Sequence, residues 1–219
     1  MTPERQGYNP AEAQETQLKK IKTMHLLVHP GYNLDKDSQA KMAPEQREYF
    51  LGLLETFEEM AAHVKAQGEF MLIACHKNKA EFNEDQKLHK PYAKFLGKIE
   101  KQLEKQGLIF FNNDKDLDFT HVKTDTEEGR EALQEIQDSY ARLVKLINKQ
   151  GYELDSNSTD VLIYGEDLAS CIHEVGAGLH QAGNFKKKFT VLTGYTDALE
   201  RADDLKKEPY PEFQYQDSL

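Results

Sequence analysis

Short apolar runs alternate with longer segments of helical hydrophobic period about five times along this chain. The runs occupy residues 23–28, 70–75, 108–111, 161–164 and 189–192. Such short, continuous runs are typical of strands that are covered on both faces, as in a parallel sheet. Between the first two, Phe50, Leu54 and Phe57 recur at the spacing of one helix face. The alternation predicts an α/β fold, a three-layer sandwich with a mainly parallel Rossmann-like sheet of five or six strands.

The two ends of the chain differ in composition from its middle. We expect a polar N-terminal extension over residues 1–20, a single α/β domain over 21–207 and a loose C-terminal tail over 208–219, where prolines are frequent and aliphatic residues few. Within the domain, the sequence predicts an extended piece at 119–122 and a short helix at 196–206. Thr124 and Glu127 have the spacing of a capping box at the start of a long helix.

Composition and charge narrow the class of partner. The formal net charge is -10, which argues against nucleic acid and anionic membranes, because both require a basic surface. No apolar run approaches the ~20 residues of a spanning helix. Two cysteines do not make a disulfide framework and favour a reducing, cytoplasmic setting. Dinucleotide and Walker motifs are absent, so we expect no cofactor. The sequence leaves the oligomeric state open, with a homo-oligomer as one option.

The stretch from Asp160 to Gly183 carries the most specific chemistry. A buried-type strand ends at Gly165, and Asp167 is a candidate N-cap for the following helix. On the helix stripe beyond it, Cys171 projects inward, whereas His173 lies about 200° round the helix and is expected to face away. A thiol in the first turn of a helix tends towards thiolate, which suits a nucleophile. The alternative is a buried structural cysteine.

Polar and titratable side chains follow each predicted strand. Because the carboxyl ends of parallel strands share one edge, where ligands bind in such folds, we expect these groups to gather there. They are His29, Cys75, His76, Asn112, Asp114, Glu166, Asp167, Cys171, Thr193 and Tyr195. Among them and the loop after the first strand, the candidate substrate-binding residues are Tyr32, Asn33, His76, Asn112, Glu166 and Asp167. A metal site built from His29, His76 and Asp114 or Asp167 is the alternative to a structural role for these side chains. No diagnostic ligand spacing is present, so we expect no metal.

The run from Gly165 to Ile172 resembles the glycine, five residues, cysteine, valine signature of the isochorismatase-like cysteine hydrolases. The order of elements over most of residues 22–200 is similar to that family as well. The resemblance implies a cysteine nucleophile for amide or related hydrolysis, an aspartate after the first strand and a lysine after the third. Here His29 occupies the aspartate's place, and the lysine is Lys123 or Lys115. Leu168 and Ala169 stand where the family has threonine and aspartate.

Two functions are therefore expected from the sequence. The first is an isochorismatase-like hydrolase of a small amide or related molecule, with Cys171 as nucleophile, His29 as base, Lys123 assisting, and backbone N–H groups of residues 169–171 holding the oxyanion. The second is a catalytically degenerate relative that binds a small molecule or a protein. His29 in place of aspartate is the feature that favours the second.

Overall fold

The computed structural model describes residues 17–31, 34, 42–75, 90–104, 106–112, 116–166, 171–196 and 211–219. These residues form eight strands and four helices, and all five predicted strands are among them. The strands are β1 (Lys19–Lys20), β2 (Thr23–Val28), β3 (Phe70–Cys75), β4 (Leu108–Asn112), β5 (Tyr152–Glu153), β6 (Asp160–Gly165), β7 (Phe189–Thr196) and β8 (Phe213–Gln216). The helices are α1 (Pro44–Gln67), α2 (Lys90–Gln102), α3 (Glu127–Lys149) and α4 (His173–Gly183).

Six of the strands form one sheet in the order β4-β3-β2-β6-β7-β8, and all of its pairings are parallel. The predicted fold class is therefore confirmed. β6 lies in the interior of the sheet beside β2, with Leu27 opposite Tyr164 and Val28 opposite Gly165. This adjacency brings the end of the first long strand next to the segment that leads to Cys171.

The sheet separates two apolar clusters that correspond to its two faces. On one face, α3 and α4 cover alternate strand residues such as Leu26, Leu72 and Ile163. On the other face, α1 and α2 cover the residues in between, such as Leu27 and Ile73. The period of two along each strand produces this division, because successive side chains point to opposite faces. The helices supply the matching stripes, and together the layers make a three-layer sandwich.

The residues at the ends of the two longest described helices explain where these helices begin and end. α1 begins with Pro44 at a position where a missing N–H costs nothing, and it ends at Gly68 in a left-handed conformation. α3 is capped by Thr126, whose hydroxyl accepts from the Gly129 N–H at 3.0 Å. The predicted capping box at Thr124 and Glu127 is therefore wrong by two residues. Thr126 is the residue directly before the first helical turn, so it alone can reach the unpaired amide groups.

Both ends of the described chain are more ordered than the sequence suggests. β1 pairs with β5, and β8 is the sixth strand of the main sheet, paired with β7. The loose tail expected over 208–219 is thus wrong for Phe213–Gln216, which binds the sheet through its backbone and buries Phe213. Residues 119–122 have no strand, and Thr196 ends β7 rather than starting a helix. The rest of the predicted helix at 196–206 lies outside the described residues.

The outer edge of β4 carries a side-chain partner. The Gln150 side-chain amide donates to the Leu108 carbonyl at 2.7 Å, and its oxygen accepts from the Leu108 N–H at 3.1 Å. Gln150 follows α3 and so crosses from the helix layer to the sheet edge. Of the helices in the described part of the chain, none combines the length and apolarity that crossing a lipid bilayer requires.

Candidate functional site

The strand order reverses between β2 and β6, and this is where ligands bind in open parallel sheets. After β2 the chain turns towards the face of α1, and after β6 it leads to α4 on the opposite face. In sheets of this kind the two exits flank a crevice that can take a ligand, and this carboxyl edge is therefore the candidate site. Of the predicted site residues, His29 and Glu166 are the two that the described structure places directly at this point, one at the end of each strand.

Glu166 links the chain segments that follow β2 and β6. Its N–H donates to the Val28 carbonyl at 3.0 Å, and its Oε1 accepts a short hydrogen bond from the Gly31 N–H. The side chain is fully buried. Gly165, directly before it, has φ 140°, and a Cβ there would lie 2.1 Å from the Val28 oxygen. Only glycine allows β6 to approach β2 this closely. Glu166 therefore fixes the loop after β2 at the carboxyl edge of the sheet.

Tyr92 packs under this loop on the α1 and α2 face, and sequence reasoning missed it. A Cβ on Gly31 would lie 2.2 Å from the Tyr92 ring, so the loop rests directly on that ring. Burial raises the pKa of Tyr92 well above its usual range, with the nearby Cys75 and Glu166 acting in the same direction. A signal was present in Pro91, which suits the first turn of a helix. Pro91 places the start of α2 one turn before the first residue of its apolar stripe.

Cys75 lies beneath Tyr92 and is not a nucleophile candidate. Its side chain is buried at the end of β3, and desolvation raises the pKa of the thiol to about 11, with the nearby Asp116 adding to the effect. A thiol of this kind stays protonated near neutral pH and behaves as a small apolar group. The two cysteines also lie on opposite faces of the sheet, because Cys75 belongs to the cluster under α1 and α2 and Cys171 packs against the other cluster.

Cys171 lies at the entrance to α4. Residues 171 and 172 form a π-type turn that continues into the helix, and the cysteine is half-buried against the core. It packs against the apolar cluster under α3 and α4 without being fully buried. His173 does not face away. It is fully buried, and its Nε2 lies 3.0 Å from the Tyr215 hydroxyl oxygen. The prediction for His173 was wrong because β8 covers this side of α4.

His29 has an unusual backbone. Its φ is 45°, a left-handed value that non-glycine residues seldom adopt and that is most often found in turns and functional sites. Its N–H donates to the Ala74 carbonyl of β3 at 2.7 Å, so the residue still belongs to the edge of the sheet. The side chain is partly exposed. The Pro30–Gly31 pair then turns the chain sharply into the crevice.

Lys123 is not brought to Cys171. The segment before it packs along α4, with the Gln181 side chain bonded to the Val122 N–H and carbonyl at 3.3 and 3.1 Å. Gln181 lies ten residues beyond Cys171, which is about 15 Å along a helix axis. Lys123 is exposed beside that far end of α4. Lys115, the alternative, lies outside the described residues.

Of the remaining candidate substrate-binding residues, the structure describes one. Asn112 is the last residue of β4 and so reaches the carboxyl edge of the sheet. Four candidates lie outside the described residues: Tyr32, Asn33, His76 and Asp167. The same holds for Asp114, Leu168 and Ala169. Across the described ranges, no three His, Cys, Asp or Glu side chains come together in a way that could hold a metal ion.

A second buried polar group lies away from the crevice. His25, on β2, is fully buried; its Nε2 lies 2.8 Å from Glu69 Oε2 and its Nδ1 3.4 Å from the Tyr164 hydroxyl oxygen. The hydrogen bond from His25 lowers the pKa of Glu69. Glu69 also borders a cavity of about 270 Å³ at the amino edge of the sheet, with Lys19 and Lys22 among its walls. The network explains how a strand interior accepts a histidine.

Comparisons with models of protein families, with curated proteins and with solved structures found no match to this chain.

Proposed function

We propose that the protein is a cysteine-dependent hydrolase of a small amide or related molecule, with Cys171 as its nucleophile. The observation that supports this most strongly is the adjacency of β2 and β6 at the reversal of strand order. It brings His29 and the Gly165 segment to one edge, and six residues after Gly165 the chain reaches Cys171 at the entrance to a helix. The isochorismatase-like resemblance of residues 165–172 points in the same direction and is part of the proposal.

The proposed chemistry has two halves. The Cys171 thiol loses its proton to a base, for which His29 is the candidate, and the sulfur forms a bond to the carbonyl carbon of the substrate. The tetrahedral intermediate collapses, the carbon–nitrogen bond breaks, and the amine leaves with the proton. Water then cleaves the thioester, releases the acid and restores the thiol. A thiol at a helix entrance favours the first step, because the unpaired amide groups there stabilise negative charge.

In this proposal one further residue has a supporting role, and one predicted residue has none. Glu166 is buried and engaged with Gly31, so its role in this proposal is to hold the loop that carries His29. Lys123 lies too far along α4 to assist Cys171, and the lysine of the family pattern is left to Lys115. The oxyanion is assigned to the backbone N–H groups of residues 169–171.

The direct experiment compares the two cysteines. The wild type, Cys171→Ala and Cys75→Ala would be assayed for ammonia release from a panel of small primary amides. We expect activity in the wild type and in Cys75→Ala, and none in Cys171→Ala. Equal activity in all three proteins would show that hydrolysis, if present, does not use Cys171. Circular dichroism of each variant provides the folding control.

A second experiment tests the base. The rate of Cys171 alkylation by iodoacetamide would be followed against pH in the wild type and in His29→Ala, with peptide mapping to locate the label. If the two side chains form a dyad, the alkylation midpoint in His29→Ala should rise, because the imidazolium no longer stabilises the thiolate. Identical profiles would remove His29 from the mechanism while leaving Cys171 as a nucleophile.

The second candidate function is a binding module without turnover. It is favoured by His29 in place of the family aspartate and by the Glu166 carboxylate, which is buried and bonded to the Gly31 N–H in a structural role. Thermal unfolding of the wild type and of Cys171→Ala in the presence of the same amides separates the two. Stabilisation of both proteins by a ligand, with no ammonia released, would support the binding module.

A further inference from the structure

The first residue of α4 is anchored by the last strand of the sheet. His173 follows Cys171 by two residues, and its imidazole is fully buried. A buried polar group is costly unless it is hydrogen-bonded. Its Nε2 is 3.0 Å from the Tyr215 hydroxyl oxygen, and its ring centroid is 5.2 Å from that of Phe213. Both aromatic residues belong to β8, so the entrance to α4 is held by residues near the C-terminus.

The contact extends over one turn of the helix. Gly176, three residues after His173, faces the same strand, and a Cβ there would lie 2.9 Å from the tip of the Phe213 ring and 2.6 Å from Ile163 Cδ1. The Phe213 ring thus occupies the space that a side chain at position 176 would need. Residues three apart lie on one face of a helix, so β8 contacts a continuous patch of α4.

β8 is one of the two edge strands of the six-stranded sheet. It lies at the end of the sheet and pairs with β7 alone among the described strands. Beyond it, Asp217 accepts from the Gly194 N–H at 3.0 Å and from the Thr193 hydroxyl at 2.8 Å. An edge element with one strand neighbour opens more readily than an interior strand. The packing of α4 on β8 therefore links the helix entrance to an edge strand of the sheet.

We infer that β8 positions Cys171, with Tyr215 as the positioning residue that acts through His173. The π-type turn of residues 171 and 172 has less regular hydrogen bonding than an α-helix, and its position depends on the first turn of α4. The anchored imidazole keeps that turn in place at the crevice. The catalytic meaning of this coupling rests on the proposed function, whereas the coupling between Tyr215 and the turn does not.

The test uses Tyr215→Phe, which removes one hydroxyl and keeps the aromatic ring. Amide hydrogen exchange over residues 174–178 should become about tenfold faster, the factor expected from loss of one buried hydrogen bond. The alkylation midpoint of Cys171 should rise towards that of a free thiol, because a loosened turn no longer presents the helix entrance to the sulfur. Tyr152→Phe, in the separate two-stranded sheet of β1 and β5, is the matched control and should change neither quantity.

A double variant separates anchoring from general loss of packing. In His173→Phe with Tyr215→Phe, neither partner is left as an unpaired polar group, so exchange at α4 should return towards the wild-type rate. Wild-type exchange and an unchanged alkylation profile in Tyr215→Phe would overturn the inference. An ordinary thiol midpoint in the wild type, together with faster exchange in Tyr215→Phe, would instead argue against the proposed function and leave the coupling intact.

Discussion

Gly165→Ala should destabilise the protein more than any ordinary glycine substitution. The residue has φ 140°, and a Cβ would lie 2.1 Å from the Val28 oxygen and 2.8 Å from the Val28 nitrogen. Both atoms belong to the β2 backbone, which cannot move without breaking its pairing with β6. The strained backbone costs about 1–3 kcal/mol. The overlap costs about 1–3 kcal/mol more. Together the two terms come to about 2–6 kcal/mol, and a central value of about 4 kcal/mol lowers the unfolding temperature by about 8–16 °C in a chain of this size.

Two other glycines provide controls that separate the terms. Gly151 has φ 84°, but nothing lies within 4 Å of the position that a Cβ would take, so Gly151→Ala carries the backbone strain without the overlap. Gly52, inside α1, has ordinary backbone geometry and open space around it. Gly52→Ala should stabilise by about 1 kcal/mol, because alanine is the better helix former. Thermal unfolding followed by circular dichroism should rank Gly52→Ala above the wild type, then Gly151→Ala, then Gly165→Ala. A Gly165→Ala protein as stable as Gly151→Ala would refute the close approach of β6 to β2.

Three further predictions concern other parts of the molecule. His25 lowers the pKa of Glu69, so the stabilisation from this contact is fully present above the ordinary pKa of glutamate and is lost as the pH falls through the lower pKa of the folded state. The free energies of unfolding of wild type and Glu69→Gln, measured in urea, should therefore differ near neutral pH and converge in acid. Cys75, with its pKa raised to about 11, should resist iodoacetamide at pH 8 in the folded protein and react once urea is added, as mass spectrometry of the labelled chain would show. Thr126→Ala should cost about 1 kcal/mol by leaving the Gly129 N–H without its cap, whereas Thr126→Ser should cost little in the same unfolding assay.

The sheet was predictable because its strands carry their own signal. An interior parallel strand must be apolar on both sides, and 161–164 has that character without reference to any other part of the chain. β8 lacks it: Phe213 and Tyr215 alternate with glutamines in a segment of four residues after two prolines. Its pairing with β7 is a tertiary property, and the burial of His173 results from it. A helical-wheel argument placed His173 on the outer side of α4 because the wheel had no information about β8.

The candidate site was predictable in part for the same reason. That His29 and Glu166 reach one edge follows from strand order, which the alternation of elements and the family resemblance both favour. The role of Glu166 as a bridge to Gly31 depends on the exact register of β2 and β6, which no local pattern encodes. Lys123 was placed by its distance from a strand along the chain, whereas the path of residues 117–123 along α4 carries it to the far end of that helix.

The Gln150 amide at the edge of β4 has a consequence for how copies of the chain meet. An unpaired edge strand invites addition of a strand from another molecule, and repeated addition leads to aggregates. At Leu108 the side chain of Gln150 already fills both the donor and the acceptor that an incoming backbone would use. An added strand would have to displace this amide before it could align with the start of β4. One uncharged side chain thus favours separate molecules over sheets that continue from one copy to the next.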